Sequence, residues 1–236
     1  DLHKEYRRQR QMCIRDRHYF MGGIRVDANS QMSTVPGLFA CGECSGGMHG
    51  ANRLGGNSLS DLLVFGKLAG DGAADYINKL NESPSIDQDQ VTSSVRCATE
   101  ILNRESGTNP YLLHEELQEA MQDNVGIVRS DELLIEGIEQ LDKFKEAYKD
   151  VKADGTSQFN PGWHEALSLR NLIITAEAVA KSALLREESR GAHTRIDFPG
   201  EREEGLEYNI CLLYTSDNTD DTPCVDLGGR RIIKTK

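Results

Sequence analysis

The chain has 236 residues, with 27 Lys+Arg against 38 Asp+Glu, a formal net charge of −11 and 38% hydrophobic residues. That length suits one or two domains. The acidic balance argues against nucleic acid or an anionic lipid surface as a partner, and no apolar run approaches the ~20 residues that a membrane span needs.

In chain order, residues 1–17 are basic and follow neither the helical nor the strand period. At the codon level, residues 1–16 back-translate to a stretch that looks like a sequencing-library adapter. Residues 211–233 back-translate to nearly its reverse complement, with Asn218 and Thr219 the departures. Two unrelated protein tails would not be reverse complements, so 1–17 and 211–236 are expected to be non-native tails that share no core with the rest. Loose alternation over 18–27, with Ile24 and Val26, predicts a strand closed by a turn at 27–30. A second, buried strand is expected over 37–41, because its apolar run stops at Gly42. A loop follows with six glycines between Gly42 and Gly56, and Asn57-Ser58 read as N-cap residues of a helix over 58–78. Residues 81–90 are polar, contain Pro84 and read as a linker.

Beyond it the pattern turns helical. Helices are predicted over 91–104 and over 111–124, the latter opened by Asn109 as N-cap and Pro110 at the first helical position. Ser130 caps a helix over 131–150, on which Leu133, Leu134, Ile138, Leu141, Phe144 and Tyr148 recur at helical spacing. Asn160-Pro161 repeats the opening signal for 162–187, where an apolar stretch runs from Leu167 to Leu185. The expected fold class is an α/β tail over 18–80, followed by a mainly α-helical bundle domain over 91–210.

Several residues in the glycine-rich loop carry chemistry. A helix N-terminus offers unpaired N–H groups and a partial positive charge, which suit an anion or an electron-rich carbonyl. Arg53, flanked by Asn52 and Gly55-Gly56, presents a planar fork that fits a carboxylate bidentately. Glu43 follows Gly42, where an acidic side chain accepts hydrogen bonds from sugar-type hydroxyls and the glycine lets a ligand approach. His49 reads as loop scaffolding, and Asn57 as a brace from side chain to backbone. Cys41 and Cys44 have C-x-x-C spacing, but no second Cys or His pair follows, so no metal site is expected.

Three stretches together resemble the C-terminal part of the flavin domain of succinate dehydrogenase and fumarate reductase flavoproteins. They are His18-Tyr19-Phe20-Met21-Gly22-Gly23-Ile24, the run Val35-Pro36-Gly37-Leu38-Phe39-Ala40-Cys41-Gly42-Glu43, and the loop from His49 to Leu59. The later run Glu188-Ser189-Arg190-Gly191-Ala192-His193 is similar to a second motif of that family. The resemblance implies FAD as cofactor, with Glu43 on its ribityl chain and the backbone of Ser58 and Leu59 facing the pyrimidine end of the isoalloxazine. It implies that Arg53 and His18 hold the carboxylates of a dicarboxylate substrate, succinate or fumarate.

It also implies partners, namely membrane anchor subunits together with an iron–sulfur subunit. Electron transfer toward a quinone would follow, with a cytoplasmic place on the inner face of the cell membrane through those partners. His193, with Arg190 and Arg195, is expected to tie the helical domain to the flavin domain. The proton-shuttle Arg of the family has no counterpart among these residues, so no catalytic acid is assigned. The chain alone is expected to be inactive and to hold FAD weakly. Alternatives are L-aspartate oxidase, which shares the first block, a soluble fumarate reductase, and a non-catalytic helical docking module.

Overall fold

The computed structural model describes residues 19–214 and 230–235. The chain divides into two units, Asp1–Ser85 and Ile86–Lys236. His18 and the segment 1–17 lie outside the described residues, as does most of 211–236.

In the first unit the two expected strands are replaced by single bridges, Ile24 with Ser45, Val26 with Ser33 and Met32 with Phe39. The chain turns too often for a ladder to grow. The Asp27 carboxylate accepts from the N–H groups of Asn29 at 3.1 Å and Ser30 at 2.9 Å, closing a tight turn. Gln31 then takes a left-handed backbone at φ 57°, and its buried amide donates to the carbonyls of Asp27 and Ala28. Pro36, which has no N–H to give a ladder, and Gly37 at φ 82° turn the chain again.

A 3-10 turn at Gly42–Cys44 precedes the helix α1 (Asn57–Asn78) and packs against it. Gly42 has φ 72°, and a Cβ there would lie 2.7 Å from a Leu62 methyl, so only glycine lets the turn sit this close to the helix. The helix begins where expected, but its N-cap is not Asn57 or Ser58. Gly56 fills that position with φ 85°, and no side chain caps the first turn. Because the loop enters in a left-handed conformation, Asn57 and Ser58 are already helical, and their side chains miss the extended geometry that N-capping requires.

Among its described residues the second unit has the α-helices α2 (Gln88–Asn103), α3 (Pro110–Asn124), α4 (Asp131–Tyr148) and α5 (Pro161–Leu185), with a 3-10 turn at Glu203–Leu206. Each α-helix start is fixed by a side chain that accepts a backbone N–H: Asp87 from Asp89 and Gln90, Asn109 from Tyr111, Ser130 from Leu133, and Asn160 from Trp163. Asp87 starts α2 ahead of the expected position, and Pro110 and Pro161 stand at the first helical positions of α3 and α5. The helices α3, α4 and α5 pack on one another, with α2 against α5. Ala166, Leu169, Ile173, Ala176, Ala180 and Ala183 form the buried seam of α5, against Leu113 and Leu117 of α3 and Leu134 and Leu141 of α4. Spacings of three and four residues place the seam on one face, and its alanines let the neighbours come near. Each fully buried Leu contributes roughly 1.5–3 kcal/mol.

Its described residues also form two small sheets. A parallel pair joins β1 (Val128–Arg129) to β2 (Thr194–Arg195), and β3 (Asn209–Tyr214) pairs antiparallel with β4 (Arg230–Thr235), Cys211 opposite Ile233. Within its sheet β3 pairs with β4 alone, and it runs beside α5.

Candidate functional site

The buried stripe of α1 begins with a charge. Asp61 is 3% exposed, in a position on the helix face that it shares with buried Ala69, while Leu62 and Leu63 point outward. The Tyr19 hydroxyl, also buried, donates to Asp61 Oδ2. His49 Nε2 lies 3.2 Å from that hydroxyl and 3.4 Å from Asp61 Oδ2, and its ring meets the Tyr19 ring edge-on with centroids 5.1 Å apart. Burial first, then the hydrogen bond to Asp61, push the Tyr19 hydroxyl well above the usual tyrosine range, so it stays protonated and donates.

Arg53 rests on the same ring, its guanidinium carbon 5.0 Å from the Tyr19 centroid. One of its terminal nitrogens makes a long contact of 3.4 Å with the Leu54 carbonyl, and its Nε is buried with no hydrogen-bond partner among the described residues. Asp61 Oδ1 is buried and unpartnered in the same sense. A buried donor or acceptor left unmade costs about 1–3 kcal/mol, and the open Arg53 donor retains its capacity for one more hydrogen bond.

Glu43 sits in the 3-10 turn against α1. It is exposed, and its Oε1 accepts from the Phe20 N–H at 2.8 Å, which fixes the carboxylate beside the backbone that follows Tyr19. Ser58 is half-buried and Leu59 is 70% exposed, in a first helical turn whose N–H groups no side chain covers. The structure thus joins Arg53 to Tyr19, His49 and Asp61, and sets the Glu43 turn against the helix that carries Ser58 and Leu59. His18 lies outside the described residues. Cys41 and Cys44 are free thiols, and among the described residues no cluster of His, Cys, Asp or Glu is grouped to hold a metal.

Tyr19 and Asp61 escape sequence reading. Tyr19 looks like one more apolar residue in a strand. Asp61 carries a signal, an acid on the helical stripe that would otherwise be apolar, but the adjoining leucines suggest that they, and not Asp61, face inward.

The second motif builds something else. Arg195 is fully buried between the end of α5 and the start of α4. It donates to the Ala183 and Leu184 carbonyls at 3.1 and 3.2 Å, to both Asp197 oxygens at 2.8 and 2.6 Å, and to Asp131. Glu188, 1% exposed, accepts from Arg186 and Arg190 and from the Arg202 N–H. Burial alone would raise its pKa, but those donors outweigh it and hold the carboxyl at about 2.

His193 Nε2 donates to the Arg186 carbonyl at 2.9 Å, so Nδ1 is the acceptor for Arg129 at 2.6 Å. Burial, reinforced by the surrounding guanidinium groups, pushes this imidazole down to about 4. The bonds of His193 run to Arg129, Arg186 and Arg190, all inside the second unit, where it joins β1 to the end of α5.

A family model described as fumarate reductase flavoprotein C-term matches residues 114–227, and one described as an FAD binding domain matches residues 4–59. The chain is similar to the fumarate reductase flavoprotein subunit of Escherichia coli, 39% identical over 183 residues, 76% of this chain and 30% of the relative. It is also similar to the succinate dehydrogenase flavoprotein subunit of Bacillus subtilis, 36% identical over 188 residues, 77% of this chain and 32% of the relative. Among solved structures, Mycobacterium smegmatis Sdh1 in complex with UQ1 superimposes with a TM-score of 0.84 at 43% identity, covering 92% of this chain and 35% of that one. The chain spans about a third of the length of these relatives.

Proposed function

Since the chain belongs to the flavoprotein family of succinate dehydrogenases and fumarate reductases, we propose that it supplies the dicarboxylate grip and the flavin-facing helix of an enzyme that interconverts succinate and fumarate. Residues 18–80 form the C-terminal part of its FAD-binding domain, 81–90 a linker and 91–210 its helical C-terminal domain, with adapter-like tails outside them.

FAD is the cofactor, and the residues present fit it. Glu43, fixed by the Phe20 N–H yet exposed, suits the ribityl hydroxyls, and the uncapped first turn of α1 at Ser58 and Leu59 suits the electron-rich edge of the ring system. When bound, FAD supplies the acceptor or donor of the hydride. Arg53 binds one substrate carboxylate through its fork, and His18 donates to a carboxylate as well. Holding both ends of the dicarboxylate fixes the carbon to be oxidised or reduced against the flavin, which turns the transfer into a positioned, intramolecular event. Electrons pass to an iron–sulfur subunit, then to a membrane quinone, and these partners keep the enzyme at the inner face of the membrane. The likeness to Mycobacterium smegmatis Sdh1 solved in complex with UQ1 supports the quinone part of that reading.

The observation that carries the proposal is Arg53, seated on an aromatic face with a buried nitrogen that no described residue satisfies. Arg53→Lys in the full-length enzyme keeps the charge and loses the fork. We expect kcat/KM for succinate to fall roughly 30- to 1000-fold, about 2–4 kcal/mol, with the flavin-to-protein ratio unchanged. Wild-type turnover in the variant would remove Arg53 from the substrate site, and joint loss of flavin and activity would move it to the cofactor site.

A further inference from the structure

Asp61 is an expensive residue in its place. It is almost wholly buried, one of its oxygens has no partner among the described residues, and an apolar side chain would extend the buried stripe of α1 at lower cost. Its other oxygen receives the Tyr19 hydroxyl, with His49 Nε2 beside both. A phenol held at its hydroxyl and wedged edge-on by His49 cannot turn its face, and that face carries the Arg53 guanidinium.

We propose that Asp61, acting through Tyr19, is a positioning residue for the dicarboxylate: it locks the aromatic platform that orients the Arg53 fork. The inference rests on the reading of Arg53 given above. A long, flexible arginine in a glycine-rich loop loses rotamer freedom when it binds, and a fixed platform removes part of that loss before the ligand arrives. Three separated pieces of chain, the segment at Tyr19, the loop from His49 to Arg53 and the second turn of α1, thereby act as one device. Its signature is a change in dicarboxylate affinity with little change in the rate of hydride transfer.

The test uses the FAD-loaded full-length enzyme and malonate, a dicarboxylate that is not oxidised, with its Kd read by calorimetry beside KM and kcat for succinate. Tyr19→Leu, which removes the platform, should raise the malonate Kd and the succinate KM about 10-fold while kcat changes less than about 3-fold. Tyr19→Phe keeps the ring and loses its anchor, for an expected rise of about 3-fold. Asp61→Asn retains an oxygen that accepts from the hydroxyl and should stay within about 2-fold, whereas Asp61→Leu should resemble Tyr19→Phe.

If the leucine variants do not fold, the decision falls to Tyr19→Phe against Asp61→Asn. A weakened Phe variant beside a near-normal Asn variant supports the proposal, and equal, unchanged affinities overturn it. A fall in kcat alone, with malonate affinity intact, overturns it too. Arg53→Lys is measured alongside. If that variant binds malonate normally, the reading of Arg53 fails. If it binds weakly while Tyr19→Leu binds normally, only the platform fails.

Discussion

Two arginines mark the difference between the two units. Arg195, in the helical unit, is fully buried, and donates to the carbonyls that end α5 and to the carboxylates of Asp131 and Asp197. Arg53, in the first unit, is half-buried, stacked on Tyr19, and keeps a buried nitrogen without a partner among the described residues. A buried charge whose donors are satisfied within the fold is a fastener, because nothing remains for a ligand to complete. One whose donors stay open beside an exposed loop is not closed off by the fold. The surroundings agree. The helical unit buries Leu134, Leu141, Leu169 and Ile173 in one cluster, whereas the first unit buries Asp61 and Gln31 and leaves Leu59, Leu63 and Val64 more than half exposed. Closed packing gives a scaffold its cooperativity, and a site draws on the less stable part of a structure.

The contrast is most exposed to failure in the helical seam. Leu141 is 1% exposed, and Leu141→Ala should lower the stability of the helical unit by about 2–5 kcal/mol in chemical denaturation followed by helical circular dichroism. A loss below about 1 kcal/mol would mean that the seam is not what holds this unit together.

A smaller effect, about 1–2 kcal/mol once solvent screening of the groups involved is allowed for, comes from acid. His193 is held near 4 in the folded state against an ordinary 6.5, by burial first and then by neighbouring guanidinium groups. Below pH 6.5 the unfolded chain takes a proton that the folded one refuses, so stability is lost as pH falls from 6.5 toward 4. Glu188, held at about 2 against 4.5, adds a further loss below pH 4.5. Denaturation midpoints at pH 7.5 and pH 4.5 should show a smaller drop in His193→Gln than in wild type, and identical drops would detach His193 from the acid response.

Ser130→Ala removes the side chain that accepts the Leu133 N–H at the start of α4, and should cost about 1 kcal/mol. Least of all, Leu63→Ser on the exposed face of α1 should change stability by no more than about 0.5 kcal/mol, since that side chain is 77% exposed. A cost comparable with Leu141→Ala would erase the distinction between the two units.

Local chemistry was legible from residue order alone. Asn109-Pro110, Ser130 and Asn160-Pro161 cap helices through atoms two or three residues away, so their starts follow from short-range geometry. The apolar spacing on α4 named Leu134 and Leu141, both buried. The glycine-rich loop with Arg53 and Glu43 announced its family for the same reason, since a contiguous run carries that chemistry. Even locally, one left-handed glycine moved the cap of α1 from Asn57 to Gly56, and repeated turns reduced two expected strands to single bridges. What only the tertiary structure decided are the meetings of distant residues. Tyr19 with Asp61 and Arg129 with His193 are separated by 42 and 64 positions. Periodicity assigns a residue to a face, but not the partner that the opposing face will bring, and so no spacing rule could show Asp61 turned inward beneath the ring that carries Arg53.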